Sequence, residues 1–136
     1  RQTNYYTDAC RYLGLVHKRK EGREVIFSLT EEGEKLFKLK YKPRQLKFVE
    51  LILSHKVFRE VFELCLKNGK MPDKHEVVKI MRYSNLYKIE SEKTFYRRAQ
   101  TIMSWIKWIL ELTRLYNIAK ERLIKICNIV QKFGTF

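Results

Sequence analysis

The chain has 136 residues, 29 of them Lys or Arg and 15 Asp or Glu, for a formal charge of +14 at pH 7. Apolar residues at 45% and aromatics at 13% exclude the low-hydrophobicity profile of a disordered chain, and no uninterrupted apolar stretch reaches the roughly 18–20 residues of a membrane span. A thermophile's charged surface adds both signs together and would not leave this imbalance, so a polyanionic partner, nucleic acid first, is expected.

The opening Arg1-Gln2-Thr3-Asn4 lacks an initiator Met and reads like the middle of an element, so we expect a fragment of a longer protein. No leader pattern opens it, and a cytoplasmic location is the default expectation. From Gln2 to Leu13, the apolar residues Tyr6, Ala9, Cys10 and Leu13 fall at helical spacing, with Thr3, Asn4, Thr7, Asp8 and Arg11 opposite. Gly14 follows as a left-handed cap, and Leu15 can fold back on the helix end. Two β-prone runs, Leu15–Lys20 and Glu24–Leu29, surround Glu21-Gly22-Arg23 and predict a hairpin with a basic tip. Thr30 is the expected N-cap of a short helix from Glu31 to about Lys40, whose first-turn acids suit the helix dipole.

Pro43 punctuates the chain. From Arg44 to Leu66 the apolar stripe is too broad for a solvated helix, which predicts a largely buried element broken near Ser54-His55. Asn68–Asp73 is a loop by composition, and Asp73 can cap a helix from Lys74 to about Met81. Arg82–Glu90 reads as a polar connector. Ser91 then caps a long helix with Phe95, Ala99, Ile102, Met103, Ile106, Ile109 and Leu110 on one face, widened by Trp105, Trp108 and Leu112. A last amphipathic helix is predicted from Tyr116 to Phe133. The expected architecture is mainly α with one β-hairpin, divided into residues 1–42 and 43–136.

Tyr12-Leu13-Gly14-Leu15-Val16, the basic hairpin and Leu29-Thr30-Glu31-Glu32-Gly33 together resemble the second half of a bacterial or archaeal winged-helix domain, over about Arg1 to Leu39. The two helices that precede this half in the family are absent from the sequence. The resemblance implies that the Gln2–Leu13 helix lies in the major groove of double-stranded DNA while the hairpin, as the wing, touches backbone or minor groove. The residues suit those roles. Arg1, Gln2 and Asn4 can pair with base edges, Thr3 and Thr7 can reach phosphates or a thymine methyl, and Arg11 can anchor the backbone. Lys18, Arg19, Lys20 and Arg23 can reach phosphates or a narrow minor groove. Against this stand a merely solvated helix face and a Lys-guarded sheet edge.

The second constellation is Lys74–Met81, a connector, and the helix opening at Ser91, a helix-turn-helix-like pair whose second member carries its polar residues in its first turns. Thr94, Arg97, Arg98 and Thr101 are its candidate contacts, with Lys93 on phosphate and Tyr96 as an aromatic with a polar tip. The competing reading is a bundle helix with a cationic outer face. The run from Thr94 to Ile109 is also similar to a segment in DNA-recognition regions of some prokaryotic type II restriction endonucleases, where winged-helix units occur in tandem. That likeness implies the reading part of a larger nuclease whose cutting domain lies outside these residues. Trp105 and Trp108 could stack on bases, but their spacing favours the core; Tyr5, Tyr41, Tyr83, Tyr87 and Tyr96 are the more open aromatics.

Catalytic chemistry finds no support. His17, His55 and His75 belong to no spaced metal set, and Glu31, Glu32, Glu34, Glu60 and Glu63 read as helix-surface charge. Cys10, Cys65 and Cys127 are far apart and set among apolar residues, so buried free thiols are expected. We expect no catalytic residue, metal, cofactor or small-molecule ligand. Two functions remain: a DNA-reading module of a regulator or nuclease, and an assembly module in which Arg44–Leu66 and Tyr116–Phe133 pair with another chain while the charge serves solubility. They are compatible, because DNA binders often dimerise, and a homodimer is therefore a candidate state.

Overall fold

The computed structural model describes residues 2–84 and 91–115, with side chains over 5–84 and 91–112. The predicted Tyr116–Phe133 helix, Cys127, Tyr87, Arg1 and the side chains of Gln2, Thr3 and Asn4 lie outside the described residues. Within them the chain is mainly helical with one small antiparallel hairpin: α1 (Gln2–Tyr12), β1 (Val16–Glu21), β2 (Glu24–Leu29), α2 (Glu31–Lys38), α3 (Tyr41–Leu53), α4 (Lys56–Asn68), α5 (Lys74–Tyr83) and α6 (Glu92–Leu115). It divides into two compact units, Arg1–Leu51 and Ile52–Phe136, so the division falls within α3.

In the first unit, α1 stops where Gly14 turns left-handed at φ +75°. The Leu15 N–H donates to the Cys10 carbonyl at 2.9 Å and the Gly14 N–H to that of Arg11 at 3.0 Å, the paired bonds of a Schellman ending. Leu15 is thereby driven inward and is fully buried. β1 and β2 follow in a register that sets Val16 opposite Leu29, Lys18 opposite Phe27 and Lys20 opposite Val25. Gly22, at φ +59°, opens the two-residue Gly22-Arg23 turn that the hairpin twist requires.

The predicted apolar face of α1 is only partly realised. Ala9, Cys10 and Leu13 are half-buried, and Tyr6 is 63% exposed with its ring edge-on to that of Tyr5. Burial along α1 grows toward the Gly14 turn, where the helix is held against β1, and the first turns lie beyond that support. Among the described residues of this unit, the buried apolar ones are Leu15, Leu36 and Val49.

The second unit holds the larger core. The predicted break at Ser54-His55 separates α3 from α4, with His55 extended at the N-cap position of α4. Ile52, Leu53, Val57, Phe58, Val61, Phe62 and Cys65 are buried, as are Val77, Val78 and Met81 of α5 and Ala99, Ile102, Ile106, Ile109 and Leu112 of α6. Full burial of such side chains stabilises by roughly 1.5–3 kcal/mol each, and the three helices meet through them. Gly69 at φ +69° ends α4. The Asp73 carboxylate accepts from the Glu76 N–H at 2.9 Å to start α5, and Ser91 Oγ accepts from the Thr94 N–H at 3.2 Å to start α6. Trp105 and Trp108 are half-buried rather than enclosed. Trp105 stacks on Phe58 with ring centroids 5.2 Å apart.

Candidate functional site

Two separate groups of cations can be described, one in each unit. In the first, a compact joint fixes the hairpin to α1. Thr30 Oγ1 donates to the Gly14 carbonyl at 2.7 Å and accepts from the Gly33 N–H at 3.0 Å, while its own N–H donates to the Leu15 carbonyl at 2.9 Å. Gly33 is needed there for space alone: a Cβ would lie 2.2 Å from the Leu15 carbonyl oxygen. The Leu-Gly-Leu and Leu-Thr-x-x-Gly segments are thus two halves of one contact. It ties the end of α1, both roots of the hairpin and the start of α2 together.

Beyond the joint, Lys18, Arg19, Lys20 and Arg23 are all exposed. Strand alternation puts Lys18 and Lys20 on one face and Arg19 on the other, where it pairs with Glu21 at 2.8 Å. Among the described residues, Lys18, Lys20 and Arg23 have no carboxylate partner. On α1, Thr7 is half-buried, and Arg11 is exposed with its guanidinium 3.5 Å from the Asp8 carboxylate. An exposed pair of that length is weak and leaves Arg11 able to change partner.

In the second unit, the opening of α6 carries Lys93, Arg97 and Arg98, all exposed. The neighbouring polar candidates have structural uses. Thr94 Oγ1 lies 2.8 Å from Ser91 Oγ inside the helix cap. Thr101 Oγ1 turns back to the Arg97 carbonyl at 3.5 Å. The Tyr96 hydroxyl is 2.7 Å from His75 Nδ1, with the two rings edge-on at 5.4 Å. Arg82, near the end of α5, bonds Glu92 and lays its guanidinium 4.9 Å over the Phe95 ring. Residues near both ends of α5 therefore touch the first turns of α6. A family model described as a domain of unknown function, DUF7226, matches residues 1–114.

The chain belongs to the DUF7226 family. No curated protein and no solved structure matches it. The span that defines this DUF7226 chain takes in the hairpin and all but the last residue of α6, so both cation groups fall within the family's domain. Among its described residues there is no group of three or more His, Cys, Asp or Glu that could hold a metal ion, and no described helix is long and apolar enough to cross a membrane. Of the predicted buried thiols, Cys65 is buried and Cys10 is half-buried, because the face of α1 that carries it is only partly covered. Burial raises the pKa of both thiols.

Three residues of the DUF7226 chain matter more than their sequence context suggests. His75 belongs to no metal-spaced set, yet it holds Tyr96 between α5 and α6. Arg82, part of the connector expected from sequence, belongs to α5 and clamps the start of α6. Arg59 sits mid-α4 with 8% exposure and one guanidinium nitrogen without a hydrogen bond. An i to i+3 or i+4 pattern cannot reveal the first two, because their partners lie on another helix.

Proposed function

We propose that this chain binds double-stranded DNA, with α1 in the major groove, the β1–β2 hairpin against phosphates or the minor groove, and the first turns of α6 as a second contact. The observation that carries this reading is the exposed set Lys18, Lys20 and Arg23, unpaired among the described residues and held on a hairpin that the Thr30–Gly33 joint fixes to the end of α1. Long cations on a rigid projection suit a phosphate backbone, where each neutralised phosphate releases a condensed counterion. In α6, exposed Arg97 is the foremost candidate for a base edge, since a planar guanidinium can bond guanine in two places. Thr94, Tyr96 and Thr101 have intramolecular partners and are assigned to holding the helix in place. The resemblance to winged-helix units and to restriction-endonuclease recognition regions makes the reading part of a cytoplasmic nuclease or transcription regulator the natural setting.

The test is a fluorescence-polarisation titration of labelled random duplex at two salt concentrations, with single-stranded DNA and RNA as competitors. Duplex binding should weaken steeply with salt. A Lys18→Ala/Lys20→Ala double variant should flatten the log–log slope by about two, near 0.9 for each lost phosphate contact. Absence of duplex binding even at low salt, or equal affinity for all three nucleic acids, refutes the proposal.

A further inference from the structure

β1 and β2 form a two-stranded sheet, so each strand has an outer edge, and the two edges differ. Lys18, Arg19 and Lys20 stand consecutively on β1, the arrangement by which proteins discourage strand addition. β2 reads Glu-Val-Ile-Phe-Ser-Leu, with no Lys, Arg or Pro and with the strong β-formers Val25, Ile26 and Phe27 in succession. Its alternate residues Val25, Phe27 and Leu29 are 47%, 41% and 45% exposed and share one face. Among the described large apolar residues that stay exposed, only Tyr83 belongs to the second unit.

The register also fixes which backbone groups are unused. With Glu21 opposite Glu24 across a two-residue turn, the closing pair is hydrogen-bonded, and bonded and non-bonded pairs alternate from there. The Thr30 N–H bond to the Leu15 carbonyl keeps that parity. Glu24, Ile26 and Ser28 therefore bond to β1, whereas the N–H and C=O groups of Val25, Phe27 and Leu29 point to the outer edge of β2. The same three residues thus carry the exposed apolar side chains and backbone groups that, among the described residues, have no ladder partner.

We propose that β2 pairs edge to edge with β2 of a second copy of this chain, antiparallel and centred on Phe27. In that register Phe27 faces its own counterpart, and Val25 faces the partner's Leu29. Each of these is a hydrogen-bonded pair, so all six outward backbone groups of each strand are used. Six apolar side chains come together on one face of a four-stranded sheet. Lys18 and Lys20 stay on the outer strands, roughly 14 Å apart across the junction, beyond the Debye length of about 8 Å at physiological salt. The match is self-complementary, as a two-fold interface must be. This puts the contact on the hairpin rather than on Arg44–Leu66 and Tyr116–Phe133, the segments expected from sequence to pair, and it does not rest on DNA binding.

Sedimentation velocity of the full chain without nucleic acid, across micromolar concentrations, should show a monomer–dimer equilibrium. Phe27→Lys should leave a monomer with unchanged far-ultraviolet circular dichroism, and Val25→Lys serves the same purpose if the first variant loses its fold. In a chain with Cys10, Cys65 and Cys127 replaced by Ala, Phe27→Cys should oxidise to a linked dimer. Opposed Cα atoms in a bonded antiparallel pair lie about 5.5 Å apart, which a disulfide spans. Ser28→Cys should not link, since Ser28 faces the partner's Ile26. A chain that stays monomeric, a dimer indifferent to Phe27→Lys and Val25→Lys, or equal linking at 27 and 28 would overturn the proposal.

Discussion

Gly33 has ordinary helical surroundings in the sequence, yet no side chain fits there: the atom that an alanine would meet is the Leu15 carbonyl oxygen, which cannot rotate aside. Gly33→Ala should destabilise the first unit by about 1–3 kcal/mol, the usual cost of overpacking, measured as a lower urea midpoint. Thr30→Val removes both the donor to Gly14 and the acceptor for Gly33 and should cost about 1–2 kcal/mol. Thr30→Ser keeps both bonds and should lose much less. The thiols give a pH dependence. Because burial raises the pKa of Cys65, the unfolded chain releases its thiol proton first as pH rises. The contribution of this group to stability is therefore whole below the unfolded pKa and declines above it. A Cys65→Ala variant should show a shallower loss of stability between neutral and mildly alkaline pH than the parent chain. Gly14 was legible in the sequence because a left-handed cap is a local need. Gly33 was not, because its requirement comes from a carbonyl eighteen positions earlier in the chain.

Among the elements, those set by local chemistry were readable. The hairpin and its turn, the Thr30, Asp73 and Ser91 caps, and the break at Ser54-His55 all stand where the sequence puts them. Those that depend on what covers a face were not. Tyr6 has helical spacing but stays 63% exposed, and the two tryptophans are only half-buried, Trp105 against Phe58 of α4. The α5–α6 contact offers a test that separates holding from reading. Tyr96→Phe should cost about 0.5–1.5 kcal/mol of second-unit stability through loss of the His75 bond, and should leave duplex affinity within a few-fold. Arg97→Ala, at an exposed site, should leave stability within about 0.5 kcal/mol and weaken duplex binding roughly tenfold or more, in line with about 1–3 kcal/mol for a base-edge contact. Equal effects of both variants on affinity would remove the distinction.

On the scale of the whole chain, net charge could be counted from the sequence, but the distribution of apolar surface could not. Among the described residues, most of the large exposed apolar side chains fall in the first unit, whose described buried apolar set is Leu15, Leu36 and Val49, while the second unit buries one face of each of three helices. Local stability follows buried apolar contact. Amides of α1 and the hairpin should therefore exchange with deuterium well before those of α4 and of α6 from Ala99 to Leu112. Similar protection in both units would show that the first is supported by more than these side chains.

The lock around Thr30 has a kinetic and entropic corollary. A hairpin bonded at both roots to the end of a helix cannot swing on a hinge, so its lysines keep their bearing relative to α1 before any ligand arrives. Nitrogen-15 relaxation should give order parameters for β1 and β2 that match those of α1 up to the Gly22 turn. Little backbone freedom would then remain to be lost on association, and the hairpin would act as a gauge of fixed span, discriminating by the spacing of what it meets.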